Sequence, residues 1–200
     1  MDKYKVTNED EIYYVEAETK NKARKEVLEK EGVTLEKVEL EEVGDTTGDW
    51  IYLEQDEPRW SFVTLGNTNM TIGEYGCLVT SLSMLSYWYG DYFRPDEIAN
   101  KSLFTEQGWY LWKSGDGYLP FDFKYRYYSR DMTKIKSILY SEDNAVIVRV
   151  SAYGAYHWLA VIGFDDISGQ LIGADPLDGG PSFIEKEYGR INGFAEVKRK

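Results

Sequence analysis

The stretch Thr71-Ile72-Gly73-Glu74-Tyr75-Gly76-Cys77-Leu78-Val79-Thr80-Ser81-Leu82 decides how this chain is read. A turn-rich approach ends at Gly76, and a helix opens at Cys77. Leu78, Leu82, Leu85 and Tyr89 recur at helical spacing and form one apolar stripe, which Gly90 closes. Outward from this helix, Pro95 suits the first turn of a second, short one. Asp131 is placed to cap a third, which carries Ile135, Ile138 and Leu139. Strands follow: Ala145 to Val150, His157 to Phe164, Leu171 to Ala174, and a last one around Phe194 to Val197. Asp166-Ile167-Ser168-Gly169 reads as a hairpin turn between two of them. Helices first and an antiparallel sheet afterwards predict an α+β fold with two lobes. The aromatic-rich residues 104–128 fit no single period.

The first 45 residues form a different unit. They hold 14 acidic and 8 basic residues, and no Trp, Pro or Cys. Tyr4 and Val6, then Tyr13, Val15 and Ala17, alternate with polar residues as two short strands would. Thr19 is a fair N-cap for a helix with Ala23, Val27 and Leu28 inward, stopped by Gly32. Val38 and Leu40 suggest a third strand. The expectation is a small ββαβ appendage over 1–45, a linker at residues 44–49, and a main domain over 50–200.

Composition removes several functions. The chain has 200 residues and a formal net charge of −12, so phosphate-rich partners are repelled and no nucleic-acid partner is expected. A single Cys forbids an intrachain disulfide, and one Cys with one His is too few for zinc-finger spacing. Asp165, Asp166, Asp175 and Asp178 lack the spacing of a calcium loop, so no metal and no cofactor are expected. No apolar run approaches the ~20 residues of a bilayer span, and the N-terminus has no apolar signal core. No membrane insertion, no signal peptide, and a cytoplasmic or phage-associated location are the expectation.

What remains points to covalent catalysis. A lone Cys is usually a small core residue, but Cys77 opens a helix, where the backbone dipole favours thiolate over thiol. Gly76 leaves room beside it for another backbone or a substrate. The only His, His157, begins the apolar run His157-Trp158-Leu159-Ala160-Val161-Ile162. Asp175 follows at the end of the next strand, in Asp175-Pro176-Leu177-Asp178-Gly179. Adjacent antiparallel strands place such a His and Asp side by side. The Asp then orients the imidazole, and the other ring nitrogen faces the thiol. The plainer readings are a structural His and an Asp-Pro turn.

These residues resemble a known family. Gln55-Asp56-Glu57-Pro58-Arg59-Trp60, Leu65-Gly66, Thr71-Ile72-Gly73, Tyr75-Gly76-Cys77, Thr80-Ser81 and Ser83-Met84-Leu85 look like papain-like cysteine peptidases related to the bacteriocin-leader (double-glycine) peptidases. The closer likeness is to a subgroup from phages and Gram-positive bacteria. The His that opens an apolar strand and the Asp-Pro-x-x-Gly motif fit as well, and the resemblance covers roughly residues 52 to 182. It implies Cys77 as nucleophile, His157 as base and acid, and Asp175 as orienter. Many papain-like enzymes place an oxyanion-hole Gln about six residues before the Cys. That position holds Thr71, which offers no amide, so Gln55 becomes the oxyanion-hole candidate, with the Cys77 N–H as second donor.

The expected function is hydrolysis of peptide or isopeptide bonds through a thioester acyl-enzyme. The substrate would be a polypeptide or a peptidoglycan peptide. The rivals are an acyl-transfer or deamidating enzyme with the same triad, and a papain-fold binding module without catalysis. The aromatic clusters Tyr87-Trp88-Tyr89, Trp109-Tyr110-Leu111-Trp112 and the Tyr118 to Tyr128 stretch read as core and interface packing, or as a platform for sugar rings and apolar side chains.

Overall fold

The computed structural model describes residues 2–8, 11–17, 50–99, 103–141, 143–165 and 168–200. Near the N-terminus, β1 (Asp2–Asn8) and β2 (Glu11–Ala17) pair antiparallel, with Tyr4 opposite Val15 and Val6 opposite Tyr13. The helix and third strand expected over 19–40 lie outside the described residues.

The main body begins with helices. A four-residue turn of helix, α1 (Ile72–Tyr75), leads through Gly76 directly into α2 (Cys77–Trp88), and α3 (Pro95–Ile98) follows. The α2 helix is buried on more sides than one apolar stripe implies. Leu82, Leu85 and Tyr89 are interior, but so are Val79, Ser81, Ser83, Met84 and Ser86. The serines make that burial tolerable, because each hydroxyl finds a carbonyl. Ser81 Oγ donates to Trp158 O at 3.0 Å, Ser83 Oγ to Phe93 O at 2.6 Å and Ser86 Oγ to Ser83 O at 2.7 Å. Each fully buried Leu or Met of this helix contributes about 1.5–3 kcal/mol, and Leu82→Ala would cost about 2–5 kcal/mol.

A 3₁₀ turn (Trp112–Gly115) precedes β3 (Phe121–Tyr127), and α4 (Met132–Leu139) is capped by Asp131, whose carboxylate accepts from Lys134 N at 2.9 Å. Then come β4 (Asn144–Ala152), β5 (Ala155–Phe164), β6 (Leu171–Asp175), β7 (Gly180–Phe183), α5 (Ile184–Tyr188) and β8 (Gly193–Arg199). They form an open antiparallel sheet in the order β3-β8-β4-β5-β6-β7. This is the α+β arrangement expected. One face of the sheet shares a core with α2 and α3 through Ala145, Ile147, Trp158, Ile172 and Ala195, and the other packs on α4 and α5 through Val146, Val148, Leu159, Leu171 and Phe194. Among the described residues, no helix is long and apolar enough to cross a membrane.

Several elements were not expected, the short α5 helix and the 3₁₀ turn among them. The α1 helix is too short to show a period. The β3 strand carries a bulge between Phe123 and Tyr125, which breaks its alternation. The β7 strand starts with Gly180-Pro181, a poor strand signal that an edge position tolerates.

Candidate active site

Two strand irregularities aim the site. The β4–β5 hairpin turns on Tyr153 and Gly154, both with positive φ (50° and 82°), as a tight two-residue hairpin requires. His157 therefore lies near the very start of β5, paired with Val150. The second irregularity is a bulge at Ile162. Above it Gly163 faces Ile172, and below it Val161 faces Gly173 and Ala160 faces Ala174. Continued one rung, this register sets Asp175 opposite Leu159, on the same face as His157. Without the extra residue Asp175 would fall opposite Ala160 and point away, because a one-residue slip exchanges the faces. The bulge thus brings the carboxylate to the imidazole.

The result is a hydrogen bond of 2.9 Å between His157 Nε2 and Asp175 Oδ1. His157 is 3% exposed and Asp175 fully buried. A buried carboxylate needs donors, and Asp175 has three besides the imidazole. Leu177 N donates to Oδ1 at 3.0 Å, while Ser182 Oγ (3.3 Å) and the Tyr188 hydroxyl donate to Oδ2. The Tyr188 ring also lies 5.2 Å from the imidazole. Burial first, then the Asp175 charge, push the Tyr188 hydroxyl far above its ordinary range, so it stays a donor. Sequence reading missed both Ser182 and Tyr188. Their signal is weak, since one sits on an edge strand and the other on a five-residue helix.

The remaining ring nitrogen, Nδ1, is left for Cys77, which hydrogen-bonds the imidazole. Burial, the largest single influence, lowers the basicity of His157. The hydrogen bonds to Asp175 and Cys77 and the charges of both outweigh it, and the imidazole is raised to about 9. At neutral pH it is an imidazolium, held between a carboxylate and a sulfur. Cys77 itself is half-buried at the start of α2. Its neighbour Gly76 does admit a close backbone, and that backbone is the chain's own: a Cβ on Gly76 would collide with the Ile72 carbonyl.

Gln55 is buried, and two hydrogen bonds fix it. Its backbone N–H donates to Pro176 O at 2.8 Å, in the loop after Asp175, and its side-chain Nε2 donates to Gly73 O at 2.9 Å, four residues before Cys77. The Gly73 carbonyl also settles the amide's orientation, since a flipped amide would face it with oxygen. Glu54 packs against Gly179, whose φ of 54° and lack of a Cβ let the Asp-Pro loop close on this segment. Thr71 acts elsewhere, and its hydroxyl caps α1 by accepting from Glu74 N at 3.3 Å.

The structure thus brings Cys77, His157 and Asp175 together and ties Gln55 to Gly73, ahead of Cys77, and to Pro176, next to Asp175. Most of the aromatic clusters pack on each other: Trp112 contacts Tyr110, Phe123 and Trp158 at 5.2–5.5 Å between ring centres. Trp109 and Tyr128 are exposed.

No curated protein matches the chain. Among solved structures, the peptidase domain of Streptococcus ComA, described as a bi-functional ABC transporter involved in a quorum sensing pathway, superposes with a TM-score of 0.49 at 16% identity, over 76% of this chain and 100% of that one. The model of the Peptidase_C39 like family matches residues 49–197, and the chain belongs to that family of cysteine peptidases.

Proposed function

We propose that this protein is a cysteine peptidase that hydrolyses peptide or isopeptide bonds, with Cys77 as nucleophile, His157 as general acid and base, and Asp175 as the group that holds the imidazole. The observation that carries this reading is the buried 2.9 Å contact of His157 Nε2 with Asp175, opposite a hydrogen bond from the same ring to Cys77. The Cys77 sulfur, as thiolate, attacks the carbonyl carbon. The oxyanion is met by Gln55 Nε2–H and the Cys77 N–H. The imidazolium protonates the departing amine as the C–N bond breaks, which leaves a thioester. Water then attacks the thioester, His157 takes its proton, and the thiolate leaves with the carboxylic acid released.

Residues 50–200 are the peptidase unit of this proposal, and residues 1–45 are an appendage not needed for the chemistry. The substrate is a polypeptide or a peptidoglycan peptide, in a phage or Gram-positive bacterial setting, as the resemblance suggests. The test is a substrate-like thiol-reactive probe together with peptide and cell-wall digests. The wild-type chain should label at Cys77 and release amines, and Cys77→Ala should do neither while remaining folded. A folded Cys77→Ala that still cleaves overturns the assignment. Labelling without any cleavage favours an acyl-transfer role, and no labelling at all favours a binding module.

A further inference from the structure

Trp158 follows His157 in the chain, and two arginines converge on its ring. The Arg149 guanidinium, on β4, lies 5.9 Å from the Trp158 ring centre and 4.2 Å from that of Tyr156. Arg126, on β3, lies 5.2 Å from Trp158, 5.1 Å from Tyr128 and 6.0 Å from Trp112. Both arginines are half-buried. What holds them is neutral. Arg149 donates to Asn192 Oδ1 at 2.7 Å and Asn192 O at 3.0 Å, and Arg126 rests on aromatic rings. Among the described residues neither forms an ion pair, whereas Arg59, Arg94 and Arg130 pair with Glu57, Asp96 and Glu185.

Acidic residues outnumber basic ones 35 to 23 in this chain, so a carboxylate partner would be easy to supply. Two guanidiniums at one indole, without a carboxylate partner, repel each other. Burial lowers the basicity of Arg126; the influence of Tyr128, second in size, opposes it, and the charge of Arg149 adds a smaller lowering. Trp158 between them is buried, and the flanking Tyr156 and Tyr128 are exposed. Such a site suits a planar anion that takes two parallel N–H donors, which a carboxylate provides.

We propose that Arg126 and Arg149 form a carboxylate subsite at Trp158, on the strand that carries His157, and that the peptide substrate carries a carboxylate. This rests on the peptidase reading above and names its substrate class. The carboxylate is either a side chain or the peptide's own C-terminus.

The test uses the full chain and two readouts. In the first, peptide pools differing only by Glu for Gln at each position, with free or amidated C-termini, are cleaved and read by mass spectrometry. A charge-assisted contact predicts about a tenfold preference for the carboxylate form, and the favoured pool tells side chain from C-terminus. Arg126→Gln should abolish the preference and leave the alkylation rate of Cys77 unchanged; Arg126→Lys, which keeps the charge without the fork, should retain part of it. In the second readout, the indole N–H signals of Trp112 and Trp158 are followed by NMR in Cys77→Ala during titration with acetate or acetamide. Shifts with the former alone, lost in Arg126→Gln, are expected. If no peptide is cleaved but these shifts occur, the subsite stands and the peptidase reading falls. Equal response to the acid and its amide in both readouts, or a preference that survives Arg126→Gln, overturns the subsite.

Discussion

The two halves of the site are held by opposite means. On the sheet side, the imidazole and carboxylate are almost wholly buried, and Asp175 is saturated by His157, Leu177, Ser182 and Tyr188. On the helix side, Cys77 is half-buried and owes its position to backbone and packing: the turn at Gly76, the burial of α2, and the bond from Ser81 to β5. In the proposed mechanism a base must keep its direction through a proton transfer, so a rigid network suits it. A nucleophile must be reached, so it cannot be enclosed by the partners that would fix it. The sheet side should therefore fail through electrostatics and the helix side through small displacements.

The largest effect expected is that of pH on the sheet side. The folded value of His157, about 9, lies above its ordinary 6.5. The protonated imidazole thus stabilises the fold. That contribution is fully present below about pH 6.5 and is lost as pH rises through about 9, and it amounts to at most ~3 kcal/mol. Denaturant midpoints from pH 6 to 10 should fall more steeply for the wild type than for His157→Gln. Parallel profiles would mean that the network does not hold a charge. As the only His in the chain, His157 can also be titrated directly by NMR.

Next comes Asp175→Asn. The amide keeps an acceptor for the imidazole but loses the charge. Stability should fall by about 2 kcal/mol, the His157 midpoint should drop, and turnover should decline without vanishing. A loss of turnover as complete as that in His157→Ala would show that Asp175 does more than orient. Tyr188→Phe is milder. It removes one donor from Oδ2 and keeps the ring beside His157, so it should cost about 1–2 kcal/mol and lower turnover a few-fold. An unchanged His157 midpoint in that variant would place Tyr188 outside the network.

The same contrast explains what could be read from the sequence. Cys77 and His157 stand out because each is the only residue of its type, and each opens an element whose apolar pattern is strong: Leu82, Leu85 and Tyr89 for the helix, Leu159 to Ile162 for the strand. The partners of Asp175 do not stand out. Which face Asp175 occupies depends on one bulged residue, Ile162, and a bulge inside an unbroken apolar run leaves no period to detect. Tyr188 is one of 17 tyrosines and sits on a helix too short to announce itself. Gln55 could be named from the want of an amide at Thr71. Its ties to Pro176 and Gly73 could not, because a loop's path follows from packing, such as the buried Trp60 that donates to Glu54 O at 2.8 Å.

The smallest effect expected is on the helix side, at Ser81. It lies one turn after Cys77, on the same flank of α2, and its hydroxyl donates to the carbonyl of the residue that follows His157. This bond joins the element that carries the sulfur to the element that carries the imidazole. Ser81→Ala keeps the helix and removes the bond, at a cost of about 1 kcal/mol. If that bond sets the register between α2 and β5, the sulfur and the imidazole drift apart while the contact of His157 with Asp175 persists. The alkylation rate of Cys77 at neutral pH should then fall several-fold, and the His157 midpoint should move down by less than in Asp175→Asn, because only the influence of Cys77 is weakened. Ser81→Thr, which retains a hydroxyl, should recover most of the rate where Ser81→Ala does not. If Ser81→Ala loses its ~1 kcal/mol but keeps both the wild-type alkylation rate and the wild-type His157 midpoint, the packing of Leu82, Met84 and Leu85 sets the register by itself, and the helix side is as rigid as the sheet.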